Sequence, residues 1–347
     1  MESEFIASAV TNTGELMRAA LRAAFAAAFL LSLTSSEFAA AQTPSLNEVA
    51  GRVELHSFPS LTLSDQQFLN GDLGGTPVTM TGEFRIAQGS GRLPVVVLIH
   101  GSGGIGANIE PWTRQFNAMG ISTFVIDGFT GRGLTSVNTN QASLGRLDFI
   151  LDVYRALDIL AKHPRVDPER IALMGFSRGG QAALYASLTR FNKAWNRSGV
   201  QFAAYIPFYP DCATTYSGDT DVAERPIRIF HGMADDYNPV ASCKAYVERL
   251  QAAKRDVVLK EYPNAQHVFD TPLNVGTVQV LANAQTVRAC TIREADGGIL
   301  LNAATQKPFT YKDGCVQLNP HVGGNAEATQ AARVAVTDFV RQVFNLE

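Results

Sequence analysis

Short apolar runs along this chain alternate with longer stretches in which apolar residues recur at helical spacing. The runs at 95–99 and 121–126 are mostly apolar and rich in β-branched residues, which is typical of strands buried on both faces of a sheet. Between residues 144 and 162 apolar side chains return every three or four positions, which predicts an amphipathic helix. These side chains are Leu147, Ile150, Tyr154, Leu157 and Leu160.

The alternation of strand and helix continues to the end of the chain. Such alternation predicts an α/β fold, with a mostly parallel sheet and helices on both faces. Segments 51–58 and 77–87 are expected to add antiparallel edge strands, and 271–322, where the alternation stops, is interpreted as an insertion. The other predicted strands are 171–174, 202–208, 227–230 and 257–262, and the other helices 108–119, 180–188, 240–253 and 326–343.

The first 41 residues have the order of a secretory signal peptide. Two arginines precede the apolar run 23–33, and small residues ending at Ala41 form a cleavage site. The run of 11 residues is too short to cross a bilayer as a helix. An amphipathic anchor helix is the alternative interpretation, and Met1 and Met17 are both candidate starts.

Composition narrows the class of protein. The formal net charge is −3, from 29 Lys and Arg against 32 Asp and Glu, which excludes the basic excess typical of nucleic-acid-binding proteins. Hydrophobic residues make up 46% of the 347, enough for a sizeable core. We expect residues 42–347 to form a single domain, secreted or periplasmic, with no membrane span once the leader is removed.

Four cysteines follow the leader, and an even number in an oxidising compartment predicts two disulfides. Three pairings are possible, and we favour Cys212–Cys243 and Cys290–Cys315, which are nearest in sequence. Each closes a loop of about 25–30 residues, worth roughly 3 kcal/mol on the chain-entropy model. No C-x-x-C is present, so the cysteines indicate neither a zinc site nor a thioredoxin-like site.

The strongest chemical motif is Gly-Phe-Ser-Arg-Gly at 175–179, which matches G-x-S-x-G between a predicted strand and a predicted helix. Such a turn needs glycines and exposes the serine oxygen at the carboxyl edge of the sheet. Ser177 is therefore the candidate nucleophile. A glycine-rich turn with an ordinary serine is the alternative.

A serine nucleophile needs a histidine as base and an acid that orients the histidine. In the hydrolase arrangement the acid follows the serine in the chain, and the histidine follows the acid. Asp235 follows the strand at 227–230, with Asp236 as the rival acid. His267 lies in the loop after the strand at 257–262, and His321 is its competitor for the role of base.

The glycine-rich loop His-Gly-Ser-Gly-Gly at 100–104 follows the first buried strand and is suited to bind an oxyanion. We expect one N–H from Ser102, with Gly103 the next choice, and the other from Arg178. The Arg178 side chain is expected to form a salt bridge rather than to attract an acidic substrate.

Two other function classes fit parts of the sequence. Gly101, Gly103 and Gly106 form G-x-G-x-x-G after a strand, and Asp127 follows the next strand, which together match a dinucleotide-binding fingerprint. That oxidoreductase hypothesis leaves Ser177 and its partners unexplained. A non-catalytic secreted binding protein on a hydrolase scaffold is the second alternative.

The segments IHGSGG, VDPERIALMGFSRGG, HGMADDYNPV and YPNAQHVFD resemble the dienelactone hydrolase-like branch of the α/β-hydrolases, over roughly residues 90–345. The resemblance implies Ser177 as nucleophile, Asp235 as orienter and His267 as base. It also implies a small-molecule ester or lactone substrate and no cofactor or metal. Dienelactone hydrolases proper use Cys as nucleophile, so Ser177 points to a general carboxylic ester hydrolase.

Overall fold

An eight-stranded sheet is the centre of residues 49–346, which are the residues that this computed structural model describes. The leader predicted at residues 1–41 lies outside them. The strands up to residue 262, including the short β7 outside this sheet, are β1 (Arg52–Thr62), β2 (Thr76–Ile86), β3 (Leu93–Ile99), β4 (Ser122–Asp127), β5 (Val166–Phe176), β6 (Ala204–Phe208), β7 (Thr214–Thr215), β8 (Ile227–Gly232) and β9 (Val257–Tyr262).

The strand order in this sheet is β1-β2-β4-β3-β5-β6-β8-β9. Every neighbouring pair from β4 to β9 is parallel, whereas β2 runs antiparallel to both β1 and β4. The predicted fold class, an α/β-hydrolase sheet with antiparallel strands at one edge, is confirmed. Because the carboxyl ends of parallel strands meet at one edge, the loops after β3, β5, β8 and β9 come together there.

Helices cover both faces of the sheet. Alternate residues of β3 face opposite sides of the sheet: Val97 and Ile99 belong to one buried apolar cluster, and Val96 and Leu98 belong to the other. This burial on both faces explains the continuous apolar run. The helices are α1 (Asp65–Asn70), α2 (Ile109–Ala118), α3 (Asp148–Ala161), α4 (Arg178–Tyr185), α5 (Thr189–Trp195), α6 (Val240–Ala252) and α7 (Ala326–Phe344).

The helix predicted at 180–188 ends earlier, and a separate helix, α5, follows it. Leu188 is extended, and the Thr189 N–H donates to Asp221 O at 2.9 Å, so the chain bends there. Trp195 of α5 then stacks on Phe68 with ring centroids 5.2 Å apart. A seven-residue helix gives little periodic signal, and its place depends on this distant aromatic contact.

The insertion at 271–322 consists of short paired strands braced by a disulfide. Both predicted disulfides, Cys212–Cys243 and Cys290–Cys315, are confirmed. Its strands are β10 (Gln279–Val280), β11 (Gln285–Thr286), β12 (Ile292–Ala295), β13 (Ile299–Asn302), β14 (Lys307–Pro308), β15 (Gln317–Leu318) and β16 (His321–Val322). Within the insertion β10 pairs with β16, β11 with β15 and β12 with β13, and β12 also pairs with β7, which lies outside the insertion.

No helix in the described part of the chain is long and apolar enough to cross a membrane.

A buried carboxyl group lies at the start of α3. Asp148 Oδ1 accepts the Leu63 N–H at 2.8 Å, and the Asp148 side chain is 1% exposed. Burial, only partly offset by the charge of Arg132, raises the pKa of Asp148 to about 7. The folded protein therefore binds this proton more tightly than the unfolded chain does.

We expect ionisation of Asp148 to lower the free energy of unfolding as pH rises from 5 to 8. The Asp148 proton stabilises the native state below its folded pKa of about 7, and this contribution, about 2–3 kcal/mol at pH 5, is lost as pH rises through that value. Asp148→Asn, which keeps an acceptor for Leu63, should remove this part of the pH dependence. Urea unfolding at both pH values measures it, with the surface variant Asp256→Asn as control. Parallel pH profiles for wild type and Asp148→Asn would contradict the assignment.

Candidate active site

Ser177 lies at a sharp turn between β5 and α4. Its backbone has φ 56° and ψ −114°, a conformation that costs free energy in a residue with a side chain. Tight packing enforces the turn: a Cβ on Gly175 would lie 2.0 Å from Gly179 O, and one on Gly179 would lie 2.2 Å from Ile99 O. Only glycine fits these positions, so the motif serves to present the serine side chain at the edge of the sheet.

The structure brings Ser177, His267 and Asp235 into one hydrogen-bonded chain. His267 Nε2 lies 2.9 Å from Ser177 Oγ, and His267 Nδ1 lies 2.7 Å from Asp235 Oδ2. An ionised carboxylate only accepts, so Nδ1 carries the proton and Nε2 is left to accept the serine O–H. The three residues are 8%, 2% and 4% exposed, respectively, which strengthens these contacts relative to water.

Asp235 is held by the backbone on its other oxygen. Asp235 Oδ1 accepts the N–H groups of Tyr237 at 2.9 Å and Asn238 at 2.8 Å. The Asn238 side chain in turn donates to Tyr209 O at 2.9 Å. These bonds fix the rotation of the carboxylate, so that Oδ2 faces His267.

The rival acid and the rival base pair with each other instead. Asp236 accepts the His321 backbone N–H at 2.7 Å, and its Oδ2 lies 2.9 Å from His321 Nδ1 and 2.6 Å from Arg288 Nη1. Partial burial acts to raise the pKa of Asp236, but the bonds from His321 and the charge of Arg288 outweigh it and hold this pKa below its usual value. This cluster fastens the insertion to the loop after β8.

Sequence reasoning did not single out the aromatic residues around the imidazole. The rings of Tyr209 and Tyr237 lie 4.8 and 4.6 Å from the His267 ring. The Tyr209 hydroxyl donates to buried Asp270 at 2.7 Å, and Trp112 Nε1 donates to the same carboxylate at 2.8 Å. Asp270 follows His267 by three residues, so these bonds anchor the loop that carries the histidine. The closeness of Asp270 to His267 in the sequence was the feature that could have indicated this anchor.

The loop after β3 lies against the nucleophile. A Cβ on Gly101 would be 3.0 Å from Ser177 Cβ, and Ser102 O accepts the Val137 N–H at 2.8 Å, which orders the loop. No protein acceptor in residues 49–346 is bonded to the Ser102 N–H. Arg178 is the first residue of α4, whose first helical bond is donated by Gln181 to Ser177 O, so the Arg178 N–H has no acceptor within the helix.

The prediction that the Arg178 side chain forms a salt bridge is wrong. Its guanidinium instead donates to Gln141 Oε1 at 2.6 Å and to the carbonyls of Leu144 and Gly145 at 3.2 and 2.9 Å. The side chain is 6% exposed. The 141–145 loop thus supplies oxygen acceptors at hydrogen-bonding distance, and these satisfy the guanidinium N–H groups.

Asp127, the carboxylate of the dinucleotide fingerprint, forms hydrogen bonds within its own loop. Asp127 Oδ1 accepts the N–H groups of Phe129 and Thr130, both at 2.9 Å. Partial burial acts to raise the pKa of Asp127, but a hydrogen bond from the Thr130 side chain and the two backbone bonds outweigh it and lower that pKa.

One group of described residues, Glu54, His56 and His163, has metal-ligand chemistry, with ligand atoms within 4.8 Å of one another. Glu54 also pairs with Arg52 at 2.9 Å. His163 Nδ1 accepts the Arg165 N–H at 3.2 Å, so the proton of a neutral ring lies on Nε2, which faces Glu54 at 3.1 Å. A metal ligand needs that nitrogen unprotonated, and the arrangement therefore favours a hydrogen-bonded cluster.

Comparison with known proteins identifies the family of the chain over its central part. The sequence profile "Dienelactone hydrolase family" matches residues 82–291. "Probable carboxylic ester hydrolase LipM" of Mycobacterium tuberculosis is 28% identical, over 35% of this chain and 38% of its own. "Acyl-protein thioesterase 1" of Gibberella zeae is 32% identical, over 29% of this chain and 42% of its own. The match thus spans about two fifths of the length of these two relatives.

Among solved structures, the dienelactone hydrolase-like promiscuous phosphotriesterase P91 from metagenomic libraries superposes with a TM-score of 0.53. It is 17% identical, over 84% of this chain and 99% of that chain. At this identity the likeness shows a shared fold.

Proposed function

Because the chain belongs to the dienelactone hydrolase family, we propose that it hydrolyses a carboxylic ester or lactone with Ser177 as nucleophile, His267 as base and Asp235 as orienter. The observation that carries the proposal is the pair of hydrogen bonds of 2.9 and 2.7 Å that join these three side chains. Dienelactone hydrolases proper use cysteine, and the serine here favours a general esterase.

The proposed reaction is acyl transfer to water. Ser177 Oγ attacks the ester carbonyl carbon as its proton moves to His267 Nε2, and the negative charge that develops on the carbonyl oxygen is bound by the N–H groups of Ser102 and Arg178. His267 then gives the proton to the leaving alkoxide, which departs as an alcohol. A water molecule attacks the acyl-serine, its proton passing through His267 back to Ser177, and the free acid is released. Asp235 stabilises the imidazolium in both steps.

A fluorophosphonate probe tests the proposal against the non-catalytic binding protein. The probe phosphonylates a serine only when a neighbouring base activates it. We expect one label per folded molecule, found by peptide mass spectrometry on Ser177, and none on urea-unfolded protein. Folded protein that stays unlabelled and hydrolyses no ester would leave the binding scaffold as the better interpretation.

We further propose that residues 1–41 are a cleaved secretory leader and that residues 42–347 act as one secreted or periplasmic domain. The two disulfides support an oxidising compartment. The amino-terminal sequence of the exported protein tests this, with Gln42 as the expected first residue.

A further inference from the structure

Two cavities of different size and character meet at Ser177. The larger has a volume of about 210 Å³, and its walls include His267, Phe176 and Val268. The smaller has a volume of about 30 Å³ and is walled by polar side chains, among them Gln181. Ser102 and Ser177 line both. A bound ester would therefore place its two halves in two unlike spaces.

The position of the base decides which half goes where. The leaving oxygen must receive its proton from His267 Nε2, so the alcohol half has to lie on the histidine side of Ser177. His267 lines the larger cavity and not the smaller. The alcohol therefore belongs in the larger cavity and the acyl group in the smaller.

The smaller cavity holds only a short acyl group. A water-sized group needs about 10–15 Å³, so the cavity has room for roughly two or three such groups. Its walls are braced: Arg178 donates to Gln141, and Thr286 donates to Tyr237 O at 2.6 Å. A longer acyl chain would have to break these buried hydrogen bonds, which makes extension costly.

The larger cavity is mainly apolar, and the insertion provides part of its wall through Leu281 and Val322. Both residues are held in place by the backbone: Leu281 N–H donates to Pro320 O at 2.8 Å, and Val322 pairs with Gln279 between β10 and β16 and forms a parallel bridge with His267. The Asp236–His321 pair, at 2.9 Å, fixes the residue next to Val322. The insertion thus forms the outer limit of the alcohol side.

We propose that this chain is selective for acetate-sized esters of compact apolar alcohols, and that Leu281 and Val322 are the residues that determine the size of the alcohol. The proposal rests on the proposed hydrolase function. At 210 Å³ the alcohol cavity is smaller than most pockets for drug-sized ligands. The insertion, braced by Cys290–Cys315, is the element of the fold that sets this limit.

Two ester series test the proposal. One varies the acyl chain of p-nitrophenyl esters from acetyl to octanoyl, and the other varies the alcohol of alkyl acetates from ethyl to octyl, followed by acid release. For wild type we expect kcat/KM to fall at least tenfold between the acetyl and hexanoyl esters. Among the acetates we expect a maximum at a short alkyl chain and a decline toward octyl.

Leu281→Ala combined with Val322→Ala should raise kcat/KM for octyl acetate about tenfold and leave the acyl series unchanged. Leu281→Trp should shift the optimum of the alkyl acetate series toward shorter alcohols. This second variant keeps the test valid if the double variant folds poorly. Leu318→Ala, on the same insertion but 48% exposed and outside both cavities, is the matched control and should change neither series.

An active double variant whose acyl series broadens while its alcohol series stays unchanged would overturn the assignment of the two cavities. Unchanged profiles in all variants would overturn the role of Leu281 and Val322 while the hydrolase function stands. If wild type hydrolysed no member of either series, the proposed function and this inference would both fail.

Discussion

Ser177→Ala is expected to lower kcat for ester hydrolysis by about 10⁵-fold while leaving the fold intact. The hydroxyl oxygen is the atom that forms the acyl-enzyme, and without it the oxyanion donors and the bound geometry supply only residual catalysis. The side chain is small, so the variant loses one hydrogen bond to His267 and little packing. Hydrolysis of p-nitrophenyl acetate and the thermal midpoint of unfolding measure the two expectations.

A matched serine variant separates loss of the nucleophile from general damage. The Ser242 hydroxyl donates to Pro239 O at 2.9 Å in the first turn of α6, and it has no other hydrogen-bond partner within residues 49–346. Ser242→Ala should therefore retain the activity of wild type. A Ser177→Ala protein that kept a tenth or more of that activity would refute the assignment of the nucleophile.

Asp235→Asn is expected to lower kcat by about 10³–10⁴-fold, the second largest effect. Because the Asp235 Oδ1 position accepts N–H groups from Tyr237 and Asn238, the asparagine carbonyl must occupy it. The amide NH₂ then faces His267 Nδ1, which has to become an acceptor. This change moves the imidazole proton to Nε2, where it prevents that nitrogen from accepting the proton of Ser177.

Asp236→Asn is the control for this prediction, since Asp236 contacts His321 and Arg288 rather than the imidazole of His267. We expect a loss of less than about tenfold for that variant. Steady-state kinetics of both variants, with circular dichroism to confirm folding, provides the comparison. A larger loss for Asp236→Asn than for Asp235→Asn would reverse the assignment of the acid.

The sequence alone was sufficient for features that depend on local periodicity and local sterics. The apolar runs of β3 and β4 predict buried parallel strands because a strand covered on both faces must be apolar at every position. The glycines around Ser177 predict the sharp turn because a side chain there would collide with the backbone. The chain order of serine, acid and histidine left two candidate acids and two candidate bases. The four cysteines left three possible pairings.

Tertiary structure decided what depends on distance between residues far apart in the chain. Asp235 and Asp236 are adjacent and chemically identical, and only the packing of the insertion shows that one faces His267 and the other faces His321. Packing between distant segments also decides three other features: the carbonyl partners of Arg178, the hydrogen bond from Tyr209 to Asp270, and the unequal cavities beside Ser177. A side chain's partner is set by the fold around it, because hydrogen bonds act over about 3 Å whereas sequence patterns report only the backbone path.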